Sequence, residues 1–149
     1  MQCPGPLQVT RSVLHVYYGR PAGLVAAQRL AEAGHMVHIL ERDLLPGGLL
    51  RTGIPSFHLE KWKIDRRVRL MEQHPRIVFR CGVNVGKDIS LEELREAYDW
   101  VIIATGASEP RHHPMMEGRK LGNVMNAMDY LRAPFVPEGK NLYAIGGGR

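Results

Sequence analysis

The sequence predicts an α/β fold built on a doubly wound, mostly parallel sheet that is incomplete within these residues. Three observations carry that expectation. Short apolar strands alternate with helix-forming segments over residues 12–107, the pattern of a parallel sheet with helical crossovers. The first strand runs into Gly19-Arg20-Pro21-Ala22-Gly23, a turn that opens a helix. A later and wholly apolar strand, within DWVIIATGA (99–107), stops abruptly at glycine.

SVLHVYY (12–18) reads as the first strand. The helix after it spans Pro21 to about Ala33, because proline suits a first helical turn and Gly34 suits a C-terminal stop. Gly23, Ala27, Leu30 and Ala31 share one face of it, small enough at the start to lie close to a strand. HMVHILE (35–41) is a second strand, which completes a β-α-β unit. LLPGGLLRTGIPSFH (44–58) is a loop whose glycines and prolines forbid a long regular element. A helix resumes near His58, with Ile64, Val68 and Met71 forming an apolar stripe. RIVFRCGVNV (76–85) is a strand, and SLEELREAY (90–98) is a helix with a capping box between Ser90 and Glu93. Residues 108–139 form a connector with one short helix around 124–131, and NLYAIGGGR (141–149) opens another strand that ends in glycines.

The 149 residues are 44% hydrophobic and 23% charged, which suits one compact domain and excludes disorder, collagen and a disulfide scaffold. No apolar run is long enough to span a bilayer, and the N-terminus lacks the layout of a secretory signal, so a cytoplasmic protein is expected. Cys3 and Cys81 are too few for an iron–sulfur cluster or a four-cysteine zinc site. The adjacent His112 and His113 have no third ligand at a metal-site spacing.

The formal net charge of +5 is carried by residues 51–80. There Arg51, Lys61, Lys63, Arg66, Arg67, Arg69, Arg76 and Arg80 stand against Glu60, Asp65 and Glu72. A basic face follows, and a solvated or subunit-facing surface is favoured over nucleic acid because only one aromatic, Trp62, lies among the charges from Lys61 to Arg69.

A dinucleotide-binding turn needs glycine at three places: for the tight turn, for backbone approach to the diphosphate, and for helix-on-strand packing. Gly23 supplies the third. The first falls at Tyr18, with Gly19 as its neighbour, and the second at Arg20. Glu41 ends the second strand 18 residues beyond Gly23, where a carboxylate accepts hydrogen bonds from an adenosine ribose. An ordinary solvated acid at a strand end is the competing explanation.

From Pro21 onward the chain resembles the flavin-binding half of the glutamate synthase small (beta) subunit and its relatives, among the two-dinucleotide-binding-domain flavoproteins. The residues that carry the resemblance are PAGLVAAQRLAEAGHMVHILER, PGGLLRTGIPSFHLEKWKIDRRVRLME, GVNVGKDISLEEL, VIIATGASEPR, EGRKLGNVMNAMDYL and IGGG. What it implies is a Rossmann-like domain of an oxidoreductase that passes electrons from NADPH through FAD. Its partner would be a large glutamate synthase-like subunit or a neighbouring iron–sulfur domain, with no nucleic acid and no membrane.

The same resemblance implies site residues. Gly19, Pro21, Ala22 and Gly23 fall at the FAD diphosphate turn, Glu41 and Arg42 at the adenosine, and Gly47, Gly48, Leu49 and Arg51 on the loop along the cofactor. Ala104, Thr105 and Gly106 match a second turn near FAD, and Gly146 and Gly148 the opening of an NADPH fingerprint. No protein side chain is expected to be catalytic and none to bind metal, since the cofactors carry the hydride chemistry. The expected division is a partial FAD domain over residues 1–133, then a linker and the first strand of a truncated NADPH domain over 134–149. Tyr18 and Arg20 depart from the family glycines. The alternative is a non-catalytic remnant or interaction module that keeps the fold.

Overall fold

A computed structural model of the chain describes residues 13–17, 20–107, 118, 121–132, 138–139, 141 and 143–146. They fall into two units, divided between residues 109 and 110. In the first unit the order is β1 (Val13–Tyr17), α1 (Pro21–Glu32), β2 (Met36–Glu41), α2 (Leu49–Thr52), α3 (Lys61–Glu72), β3 (Ile77–Cys81), α4 (Leu91–Ala97) and β4 (Trp100–Ile103). The second unit holds α5 (Ala127–Arg132).

The four strands form one parallel sheet in the order β3-β2-β1-β4. β1 is therefore internal, and the chain lays β2 and β3 on one side of it before crossing to place β4 on the other. The strand order reverses between β1 and β4, so a topological switch point lies at their carboxyl ends.

Residues of β2 point alternately to two cores, as the period of a strand requires. Val37 and Ile39 are fully buried beneath Leu24, Ala27 and Ala31 of α1, Met71 of α3 and Ile77 of β3. Leu40 faces the other side, with Val85 and Leu94 of α4. Helices thus cover both faces, as the doubly wound expectation requires. Ala27 and Ala31 are 0% and 2% exposed, so the small-residue stripe is what lets α1 lie close to β2.

Sequence and structure differ in three places. The helix expected near His58 starts at Lys61, because the carbonyl of Pro55 takes the N–H groups of His58 and Leu59 in a turn. Among the described residues the apolar β4 is an edge strand: Val101 and Ile102 pack against the two cores, while Trp100 and Ile103 are 70% and 62% exposed. The strand expected at 141–149 is not formed among its described residues, 141 and 143–146, where no ladder partner is present and Tyr143 and Ile145 are exposed. A strand needs a neighbour for its backbone hydrogen bonds. The capping box of α4 is as expected, with Ser90 Oγ accepting from Glu93 N at 3.1 Å and Glu93 Oε2 accepting from Ser90 N at 2.7 Å.

Leu94 is 0% exposed in the smaller core, whereas Leu91 on the same helix is 38% exposed. Leu94→Ala is expected to lower unfolding free energy by about 2–5 kcal/mol, as core truncations do, and Leu91→Ala to cost well under half of that. Urea titration followed by circular dichroism measures both.

Candidate dinucleotide cleft

The candidate dinucleotide site is the carboxyl edge of the sheet, where β1, β2 and β4 end and α1 begins. Arg20 is the N-cap residue of α1, with an ordinary extended backbone (φ −79°, ψ 165°) and no side-chain capping bond. Its carbonyl accepts from Leu24 N at 2.9 Å to start the helix. Pro21 and Ala22 are exposed in the first turn, and Gly23 is buried.

The side chain of Arg20 does not extend into solvent. The residue is 6% exposed, and Nη1 donates to the carbonyl of Ala107 at 2.7 Å, beyond β4. Its stem runs between two glycines. A Cβ added at Gly48 would lie 2.8 Å from Arg20 Cγ, and one added at Gly106 would lie 3.0 Å from Arg20 Cδ and Nη1. Both glycines also have positive φ, 50° and 58°, a backbone that side chains seldom adopt, and Arg20 leaves little room for one at either. Arg20 therefore fills a glycine-walled groove across the switch point.

Glu41 closes β2 and is 1% exposed. One carboxylate oxygen, Oε1, accepts from Asp43 N at 3.0 Å. This carboxylate sits at the strand end where a ribose-binding acid is expected and is built into the turn that follows, so the solvated-acid alternative does not describe it. Arg42 leans on Asp43 at 3.7 Å.

The 44–58 loop is held by Arg51, expected along the cofactor, and by Lys61, expected on a solvated face. Arg51 donates to Asp65 Oδ1 at 2.7 Å and to the carbonyl of Pro46 at 3.2 Å. Lys61 donates to the carbonyls of Leu50, at 2.9 Å, and of Ile54. These bonds anchor the loop bearing Gly47, Gly48 and Leu49 to α3. Arg67 likewise donates to Gln28 of α1, Arg76 to the carbonyl of Gly34, and Lys63 pairs with Glu60. Much of the basic surplus thus ties elements together. The signal for this was Asp65, an acid inside the basic run.

Ala104 and Thr105 are half-buried, and Ala104 packs against the larger core. Gly19 and Gly148 lie outside the described residues, as do His112 and His113. Gly146 belongs to the second unit. Among the described residues no cluster of His, Cys, Asp and Glu could hold a metal, and no helix is long and apolar enough to cross a membrane. Cys81 is half-buried, and burial together with the charges of Glu41 and Glu72 raises its thiol pKa. It therefore stays protonated near neutral pH and is a poor nucleophile.

The profile of the pyridine nucleotide-disulphide oxidoreductase family matches residues 19–149. The chain belongs to that family. It is similar to the NADPH glutamate synthase small chain of Mycobacterium tuberculosis, with 41% identity over 96% of this chain and 32% of the relative. The Bacillus subtilis small chain is 40% identical over 86% of this chain and 28% of its own length. The chain thus spans about a third of the length of these curated relatives. Among solved structures, the oxidoreductase FprA of Mycobacterium tuberculosis superposes with a TM-score of 0.74 and 28% identity, covering 81% of this chain and 28% of FprA. FprA is also known in complex with NADPH.

The second glycine of a dinucleotide-binding turn lets a diphosphate approach the backbone closely, and in this chain that position is Arg20. The described state does not allow that approach. Arg20 Cγ, Cδ and Nη1 occupy the groove, so the residues as they stand do not fit a bound diphosphate.

Elsewhere in the first unit, His38 Nδ1 is hydrogen-bonded to the Tyr98 hydroxyl at 3.0 Å. Burial, then the charge of Arg80, lowers the His38 pKa from 6.5. The unfolded chain therefore binds this proton first, so stability is full above about pH 6.5 and declines as pH falls below it. Melting temperature is expected to drop between pH 7.5 and 5.5, and His38→Gln to flatten that part of the profile. An unchanged slope in the variant would assign the decline to other groups.

Proposed function

We propose that the chain is the flavin-dinucleotide domain of an NADPH- and FAD-dependent oxidoreductase of the glutamate synthase small-chain type. The observation that carries this reading is the glycine-walled groove at the switch point, with Glu41 at the end of β2 and the start of α1 beside it. Similarity to the small chains supplies the redox class.

In this reading Pro21, Ala22 and Gly23, with Gly19, carry the diphosphate only with the Arg20 side chain out of the groove, and Glu41 and Arg42 the adenosine side. Gly47, Gly48, Leu49 and Arg51 flank the cofactor on one side, and Ala104, Thr105 and Gly106 on the other. Arg51 serves indirectly, since its bonds to Asp65 and Pro46 fix the loop. Gly146 and Gly148 begin the NADPH-binding part, residues 1–133 being the flavin domain. The electrons would pass to a large glutamate synthase-like subunit or through an iron–sulfur domain, in the cytoplasm. A second reading, a fold-retaining module that takes no cofactor, is favoured by one observation: the Arg20 side chain in the groove.

Calorimetric melting of the chain with increasing FAD separates the two. A ligand that binds only the native state stabilises it by about 1.4 kcal/mol at tenfold its Kd, so the melting temperature is expected to climb with FAD. Glu41→Gln is expected to weaken FAD about tenfold, the worth of one charged hydrogen bond, measured against the variant's own unliganded baseline. A melting temperature indifferent to FAD up to millimolar concentration favours the cofactor-free module.

A further inference from the structure

We infer that the outer face of α3 docks onto the outer face of α4 in a second copy of this chain, a weak head-to-tail contact between a basic helix and an acidic one. The contact does not depend on the flavin reading. On α3, Trp62, Arg66, Arg69 and Leu70 recur at the spacing of one helical stripe and, with Asp65, line one shallow depression. All four are exposed, Trp62 by 54% and Leu70 by 50%. The rest of the helix is engaged elsewhere: Ile64, Val68 and Met71 are buried, Lys61 holds the 44–58 loop, Arg67 reaches Gln28, and Asp65 is bound by Arg51. Among the described residues neither Arg66 nor Arg69 has an ion pair. Two large apolar groups thus flank two uncompensated cations.

The complement lies on the same chain. Residues 60–70 hold five bases against two acids, and residues 87–99 hold five acids against two bases. On α4, Glu93 is taken by the capping box, while Glu92 and Glu96, one turn apart, are exposed and have no ion pair among the described residues. Leu91 beside them is 38% exposed, and Arg95 is the single base of the helix. α3 packs on the larger core through Met71 and α4 on the smaller through Leu94, so the two helices cover opposite faces of the sheet. Within one copy they cannot meet. Between copies, Arg66 and Arg69 face Glu92 and Glu96, with Leu91 against the apolar groups of α3. Nucleic acid or an anionic membrane would use the basic stripe and leave the acidic one idle. A contact between unlike surfaces leaves one free face at each end, so it adds copies in a row rather than closing a pair. α4 offers seven residues, about 10 Å of helix, well short of the roughly 1,000 Å² of a standing interface. The association is therefore weak, steered by charge and sensitive to salt.

The test is sedimentation velocity of the full 149-residue chain at concentrations up to about 1 mM, in about 0.05 M and about 0.5 M salt. Average mass is expected to rise with concentration at low salt and to fall back at high salt. Arg66→Glu with Arg69→Glu, and separately Glu92→Lys with Glu96→Lys, are each expected to weaken association about tenfold or more, because like charges then face one another. An equimolar mixture of the two variants is expected to restore it, since each supplies the sign that the other lacks. Circular dichroism checks the fold, and Arg69→Glu or Glu96→Lys alone replaces a double substitution that impairs it. A chain that stays monomeric at low salt overturns this docking. So does association that salt or the substitutions leave unchanged, which would run through another surface such as the bare margin of β4. A mixture that associates no better than its components also overturns it.

Discussion

A cation lying across the switch point of the sheet is the constraint on which the rest of this structure turns. With β1 internal and β4 on its far side, the order of the strands reverses between them, and Arg20 reaches across that point to Ala107. The positive-φ glycines on either side are shaped for an object that approaches the backbone closely. In this state the object is the protein's own side chain.

The sheet and its covering helices were legible because each rests on a local pattern. Val37 and Ile39 alternate with Leu40 to reach opposite cores, and Ala27 and Ala31 recur on the inner face of α1. The Ser90–Glu93 pair announces a helix start from sequence alone. Edge placement was not legible. Nothing in WVII says which side of β1 will receive it, and apolar content alone cannot distinguish an internal strand from an outer one.

Of the candidate site, spacing singled out Glu41 and Gly23, and the missing second glycine singled out Arg20. What an isolated sequence does not encode is the rotamer, which depends on Gly48 and Gly106 being brought together from opposite sides of the sheet. Nor does charge counting reveal that Lys61 and Arg51 turn inward onto loop carbonyls and Asp65. Such contacts join residues separated by a turn whose geometry is fixed only after α3 docks through Ile64, Val68 and Met71.

The outer margin of β4 has a consequence of its own. It pairs with β1 on one side, and among the described residues nothing continues the ladder on the other, where Trp100 and Ile103 stand bare. An open row of amides beside bulky apolar groups is a template for edge-to-edge growth. Concentrated solutions of these residues alone would be expected to self-associate along that margin, so colloidal behaviour, rather than loss of the fold, would limit how the isolated chain can be handled.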